Sequence, residues 1–513
     1  MFYMKQKIFI TLVYFLTLTL LANCVMAQPT GKTKTEMYRP QIHFSPDAHW
    51  INDPNGMVYE NGVYHLFLQY HPYSSVWGPM HWAHATSKDL IHWEEQPIAL
   101  FPDSLGCIFS GSAVVDKKNS SGFGKNGKAP LIAIFTAHNL EGEKAGQNNF
   151  QNQSIAYSND HGQTWTKYSG NPVIKNPGIR DFRDPKVMWY EPQKKWVMTL
   201  ATKDRVTFYS SPDLKNWIKE SEFGETLGSH GGVWECPDLF TLNDKGKKVW
   251  VLVVNINPGG PNGGSATQYF LGDFNGKTFT ASHKDIKWLD YGPDEYAGIT
   301  WSNTGDRKIF LGWMSNWQYA SKVPTTVWRG ATTLPRELLL KHVGDKTLVA
   351  STPVKELSVI YSKLKVIENL TLNGKIDLFD KLGLSQFPCR INLTFEKTDD
   401  FTLTVQNKKG EELVIGYDKM HNQYFIDRSA SGKVDFEKGF GAKHVAPRFS
   451  NNTDIKISLV IDESSVELFA DDGLTTMTEI FFPNAPYNKI NLQSTSILKI
   501  KKLEYIKLNS IWK

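Results

Sequence analysis

Three acidic residues of this 513-residue chain sit in settings that suit a carboxylate poorly unless it works. Asp53 lies in Trp50-Ile51-Asn52-Asp53-Pro54-Asn55-Gly56, Asp184 in Arg183-Asp184-Pro185, and Glu235 in Trp234-Glu235-Cys236-Pro237-Asp238. Each is in or beside an apolar or aromatic stretch, and each has a proline one or two residues downstream. Burying a carboxylate is costly unless hydrogen bonds or charges repay its desolvation. An apolar setting also raises a carboxyl pKa, so that a glutamic acid can keep a proton near neutrality and donate it. Two carboxyls with divided roles are the minimum for cleaving a glycosidic bond. A third could grip sugar hydroxyls. Taken singly, each has a plainer reading: Asp53 as a turn stabiliser, Asp184 as a surface ion pair or turn, Glu235 as a solvated strand-edge residue. Arg183 and Asp184, as strand neighbours, point to opposite faces and need not pair. Gln69, Trp77, His81, Trp82, Trp301, Trp313 and Trp317 are candidate neighbours, because aromatic faces pack on the apolar faces of sugars.

The elements that must position these groups read as all-β. Short apolar or alternating runs at 131–136, 196–202, 249–256 and 308–314 are separated by turns, and no stretch sustains a helical period. Asn61-Gly62 between two β runs is a strong hairpin signal. A weak repeat recurs as Ser87-Lys88-Asp89-Leu90-Ile91-His92-Trp93 and Ser211-Pro212-Asp213-Leu214-Lys215-Asn216-Trp217. Ser158-Asn159-Asp160-His161-Gly162-Gln163-Thr164-Trp165 is a looser copy. A strand–turn–Trp unit in which Asp caps the turn and Trp fills the gap between sheets predicts propeller blades. Five blades of roughly 50–60 residues fit a domain over 38–345. After Pro335 tryptophan becomes rare and lysine frequent, and alternating runs at 391–395, 401–405, 455–461 and 466–470 predict a β-sandwich over 358–513, with a linker over 346–357.

Hydrophobic residues at 41% and charged residues at 21% are ordinary globular values. The net charge of +5 is small for this length, and no run of five or six like charges appears, which argues against a nucleic-acid partner. Residues 1–27 read as an export signal: Lys5 and Lys7 precede an apolar stretch from Ile8 to Ala22 that is too short for a membrane span, and Val25-Met26-Ala27 offers a cleavage site. An alternative takes Leu21-Ala22-Asn23-Cys24 as a lipoprotein signal with Cys24 lipidated. Either way the chain is expected to be exported to the periplasm, the medium or the cell surface. Cys107, Cys236 and Cys389 are too widely spaced for a disulfide framework or a zinc pair and read as buried thiols.

The motifs around Asp53, Asp184 and Glu235 resemble those of glycoside hydrolase family 32, the fructan- and sucrose-cleaving β-fructofuranosidases. The resemblance spans nearly all of the mature chain. It implies a five-bladed propeller with a C-terminal sandwich, and an active site at the mouth of the axial channel. It further implies Asp53 as nucleophile, Asp184 as transition-state stabiliser and Glu235 as acid/base. Asn52, Gln69, Trp77, Phe109, Ser110, Arg183, Tyr296 and Trp313 are implied as substrate-binding positions, and Glu467 as a structural residue of the sandwich. The segment from Trp313 to Tyr319, followed by Val323-Pro324-Thr325, is similar to that of exo-acting fructan hydrolases. Ile51 and His71 depart from the common Met and Asn, and His71 bears on the leaving-group side. No metal or organic cofactor is called for. The expectation is a retaining exo-β-fructosidase acting on levan or inulin and on sucrose. An endo-levanase and a non-catalytic fructan-binding surface protein stand as alternatives, and the Asn-Asp-Pro-Asn-Gly setting argues against an inverting arabinan hydrolase.

Overall fold

The computed structural model describes residues 34–383 and 387–512. The export signal and Cys24 lie outside the described residues. Lys34 and Trp512, near the two ends, form a cation–π pair at 3.7 Å.

Five antiparallel sheets follow one another along the chain. Their first strands are His49–Glu60, Cys107–Val115, Phe182–Tyr190, Val233–Asp244 and Tyr296–Thr300. Each of these touches the first strand of the next blade, and the fifth returns to the first, so the five line a common axis. The ring is closed by chain that crosses back: Trp328–Arg329 pairs in parallel with His49 and Trp50, and Val58 bridges Ser302. The Asn61-Gly62 hairpin is present, with both residues at positive φ (49° and 83°).

The Ser–Asp–Trp repeat does the work its composition suggests. Asp89 accepts hydrogen bonds from the backbone of Ile91 and His92, and Asp213 from that of Lys215 and Asn216. Asp160 caps the looser copy through Thr164. In each unit the tryptophan indole donates back to the turn, Trp93 to Leu90, Trp165 to Gly162 and Trp217 to Leu214. The rings then wedge between blades: Trp93 stacks on Trp301 of blade five at 6.0 Å, and Trp165 meets Phe67 of blade one edge-on.

Two sequence expectations are corrected. Residues 346–353 are not linker. Lys346–Pro353 is the outermost strand of blade five, paired along its length with Arg336–Val343. Leu348, Val349 and Ala350 are buried there, so this edge is held by packing, and only a short 3₁₀ turn, Lys355–Ile360, separates it from the sandwich. Trp301 also leaves the list of site candidates. It is spent between blades, donating its indole hydrogen to the His65 carbonyl.

In the C-terminal domain, the long strand Lys489–Leu508 pairs with Tyr361–Asp377, Cys389–Phe395 and Phe401–Gln406. It thereby ties both faces of a nearly closed sandwich into one hydrogen-bonded ladder. Alternating residues such as Ile391, Leu393, Leu403, Val405, Ile457 and Leu459 fill its core.

Propeller and sandwich meet across buried charge. Arg336 bonds Asp290 at 2.8 Å and also Glu467, and Glu467 accepts from the Leu334 amide and His43. Burial alone would lower the His43 pKa, but its bonds to Asp462 and Glu467 more than reverse this, to about 9. Arg428 reaches from the sandwich to Asp294 at 2.6 Å and stacks over Phe440. Such pairs are weak evidence of net stability, but breaking one leaves a buried charge uncompensated. Glu467 is thus a structural residue of the seam.

Glu295, next to Asp294, is fully buried, and neither carboxyl oxygen has a hydrogen-bond partner among the described residues. It lies where blade five is thinned to glycine: a Cβ on Gly312 would sit 2.3 Å from its Oε1. Burial, then the charge of Asp290, pushes its pKa from 4.5 up to about 8 against the pull of Arg336. A raised carboxyl contributes stability that is whole below about pH 4.5 and lost as pH rises through about 8. Glu295→Gln removes that dependence. At pH 8 the variant is expected to melt a few degrees above the parent, a gain of about 1–3 kcal/mol for relieving an unsatisfied buried charge. At pH 4.5 the two should melt together. Calorimetry at both pH values checks this.

Candidate active site

Every first strand of the ring is interrupted by a β-bulge. The register slips at 51/54 in blade one, 108/111 in blade two, 183/186 in blade three, 235/238 in blade four and 296/299 in blade five. Bulges re-aim side chains that regular pleating would point elsewhere. These turn Asp53, Ser110, Asp184 and Cys236 toward the axis. Pro54, Pro185 and Pro237 fall in or beside three of the bulges, where a missing ladder N–H costs least. Asp184, Cys236 and Ala297 take left-handed φ values of 65°, 43° and 55°, a strained conformation for non-glycine residues that clusters at functional sites. Gly56 (φ 53°) is required for another reason: a Cβ there would fall 2.6 Å from Phe67 and 2.8 Å from Trp82.

The three carboxyls converge. Cys236 Sγ lies 3.7 Å from Asp53 Oδ2 and 3.6 Å from Asp184 Oδ2, and the Cys236 amide donates to Asp184 Oδ2 at 3.0 Å. Asp53 is held from two sides. Ser110 donates its hydroxyl to Oδ2 at 2.6 Å, and Asn52 its amide to Oδ1 at 2.9 Å. Asn52 is itself fixed by the Trp50 indole at 2.7 Å. The Trp-Ile-Asn-Asp run is therefore a short relay that orients one carboxylate. Glu235 receives two hydrogen bonds from Arg183, at 3.0 and 2.9 Å, on one oxygen, and the Tyr296 hydroxyl on the other. Arg183 also grips Asp181 at 2.6 Å. The pairing of Arg183 with Glu235, across blades, leaves its sequence neighbour Asp184 facing the other way.

Burial raises the Asp53 carboxyl, and the charge of Glu235 adds to this, while the bonds from Ser110 and Asn52 oppose it. Burial also raises Asp184; Arg183 pulls it back, and Glu235 and Asp53 push it up again, to about 7. The Tyr296 phenol and the Cys236 thiol are pushed well above their ordinary ranges by burial and the surrounding acids. Carboxyls that share one site oppose each other's ionisation, which adds to burial in raising Asp53 and Asp184.

The remaining candidates form walls. Trp77 is 38% exposed and meets Phe109 edge-on, and Phe109 stacks on His138 at 3.9 Å. Gln69 and Trp313 are buried, and the amide nitrogen of one and the indole nitrogen of the other find no acceptor among the described residues. Trp313 packs under Trp50 at 5.9 Å and beside Trp317 at 4.9 Å, supporting the relay instead of facing solvent. Trp82 is core, packed on Phe67 and Phe135. His71 donates its Nδ1 hydrogen to its own loop, at the Val76 carbonyl, at 2.8 Å. Cys236 is the buried thiol the sequence predicts, but its place against two of the carboxyls was not foreseen, nor was the part of Asp181. The position of Cys236, directly after Glu235, was the available signal.

A propeller whose axial mouth gathers three carboxyls, one oriented by two donors and one held between a guanidinium and a phenol, defines a carbohydrate-cleaving enzyme, a glycoside hydrolase. Comparison with known proteins gives the family. The model of the glycosyl hydrolases family 32 N-terminal domain matches residues 43–352, and that of the family 32 C-terminal domain matches 357–507. The chain belongs to glycoside hydrolase family 32. It is 47% identical to a levanase of Bacillus subtilis, over 99% of this chain and 76% of that protein. It is 41% identical to the extracellular exo-inulinase inuE of Aspergillus ficuum, over 89% of this chain and 92% of that one. The crystal structure of exo-inulinase from Aspergillus awamori superposes with a TM-score of 0.85 at 36% identity, covering 94% of this chain and all of that one.

Proposed function

We propose that the protein is an exported, retaining exo-β-fructosidase that releases fructose from the non-reducing ends of fructans and also cleaves sucrose. The observation that carries this reading is the convergence of Asp53, Asp184 and Glu235, from blades one, three and four, around the Cys236 thiol. In this reading Asp53 attacks C2 of the terminal fructosyl unit as the C2–O bond to the rest of the chain breaks. Glu235 gives its proton to the departing oxygen. A water molecule then attacks C2 of the fructosyl-enzyme, Glu235 takes the water's proton, and the Asp53 carboxylate is released. Retention calls for the two carboxyls to lie about 5–5.5 Å apart. Asp184 grips the ring hydroxyls as positive charge develops at C2. Arg183 and Tyr296 orient Glu235, Asn52 and Ser110 orient Asp53, and Gln69, Trp77 and Phe109 shape the first sugar subsite, which Trp313 backs from beneath Trp50.

The test is product chromatography of levan, inulin and sucrose digests over time. Fructose should appear alone from the first time points with either polymer, and equimolar glucose and fructose from sucrose. A ladder of oligosaccharides preceding fructose would replace the exo mode with an endo-levanase. Binding without any turnover would replace the enzyme with a fructan-binding surface protein.

A further inference from the structure

A cavity of only about 10 Å³ lies at the carboxyl cluster, among Ser110, Asp184, Pro185, Lys186, Cys236 and Ile299, too small for anything larger than a water. A second cavity, of about 670 Å³, is within the size range of saccharide and cofactor sites. It is built from the opposite ends of the same first strands, at 114–118, 186–192, 238–241 and 300–303. None of its residues belongs to the catalytic cluster.

Its lining combines aromatic plates with amines. Trp189 and Trp250 are half-buried and line it, the Lys118 amine lying over one face of Trp189 at 4.6 Å, and Lys117, Lys248 and Lys308 surround them. The carboxylates on the same walls are already engaged. Asp116 accepts from the backbone of Ser120 and Ser121 at 2.9 and 2.8 Å. Asp238 accepts from the Thr300 amide and hydroxyl, both at 2.7 Å, and pairs with Lys186 at 3.4 Å. Glu191 takes the Trp189 indole and Lys118. Lys117 and Lys248 have no ion-pair partner among the described residues, and Lys308 donates only to a backbone carbonyl, that of Gly305. Burial disfavours the Lys308 charge and Asp238 and Asp306 favour it, while Lys248 and Lys186 repel it. An anion placed among these amines would relieve that repulsion, and ring faces beside it suit a sugar better than a bare ion.

We propose that the far mouth of the propeller is a second carbohydrate site, for a saccharide bearing a carboxylate or a phosphate, held between Trp189 and Trp250 and the amines of Lys117, Lys248 and Lys308. It lies beyond the proposed hydrolysis and is independent of it.

The experiment is an indole-fluorescence and calorimetric titration of the full chain with four probes: a galacturonate trimer, a hexose 6-phosphate, a neutral inulin oligomer and inorganic phosphate. The parent and the Lys117→Ala/Lys248→Ala double variant are compared. The expected result is saturable, salt-sensitive binding of one or both anionic sugars, weakened at least about tenfold in the double variant, with inulin hydrolysis unchanged as the check on folding. The two sugar arms distinguish a uronate-bearing polymer from a phosphorylated sugar. Absence of saturable binding by either anionic sugar, equal binding by parent and variant, or inorganic phosphate binding as tightly as the sugar phosphate would each overturn the proposal. Charge reversal at one position, Lys248→Glu, gives a second variant and should likewise weaken binding without lowering fructose release.

Discussion

Asp53→Asn should leave a folded protein that releases fructose about 10³- to 10⁵-fold more slowly, a loss of roughly 4–7 kcal/mol of transition-state stabilisation. The amide keeps the shape of the side chain but cannot form the fructosyl ester. Folding should survive, because the amide oxygen can still accept from the Asn52 amide, while the Ser110 hydroxyl can turn to accept from the new amide nitrogen. The substitution even removes a carboxyl that burial holds above its ordinary pKa, so the melting temperature is expected to hold or rise. The measurement is initial fructose release from inulin and sucrose beside a thermal melt. A variant that hydrolyses normally would take Asp53 out of the nucleophile's role. One that is inactive because it is unfolded would show in the melt.

Much of this site is legible in the order of the amino acids, and the reason lies in the bulges. A bulge that aims a carboxylate at an axis needs residues that tolerate odd φ and a missing ladder bond. It therefore writes prolines and glycines beside the acid: Pro54 and Gly56, Pro185, Pro237. The Asp89, Asp160 and Asp213 turns are legible for a similar reason, since the cap, the turn and the indole that closes it lie within eight residues. What could not be read is what chain separation hides. The Arg183–Glu235 pair spans two blades; strand alternation argued that Arg183 need not pair with Asp184, but nothing in the sequence named Glu235 as its partner. Cys236 is legible as a buried thiol but not as the neighbour of two carboxylates, because these are brought to it from elsewhere in the chain. The seam of Arg336 with Asp290 and Glu467, and of Arg428 with Asp294, joins residues more than forty apart in sequence. The strand at 346–353 was misread as linker because an edge strand carries lysine and threonine on its open side.

Glu235→Gln tests the other half of the mechanism by making the loss depend on the substrate. General acid catalysis contributes about 10²- to 10⁴-fold, so hydrolysis of sucrose or inulin, whose leaving alkoxide needs a proton, should fall by that factor. An aryl β-fructofuranoside with an acidic phenol needs little protonation to depart, and the first step with it should fall by less than about tenfold. The fructosyl-enzyme should then accumulate, because water still lacks its base, and a burst of phenol should precede a slow steady state. An equal loss on both substrates, with no burst of phenol, would mean that Glu235 acts through its bonds to Arg183 and Tyr296 and not through a proton of its own.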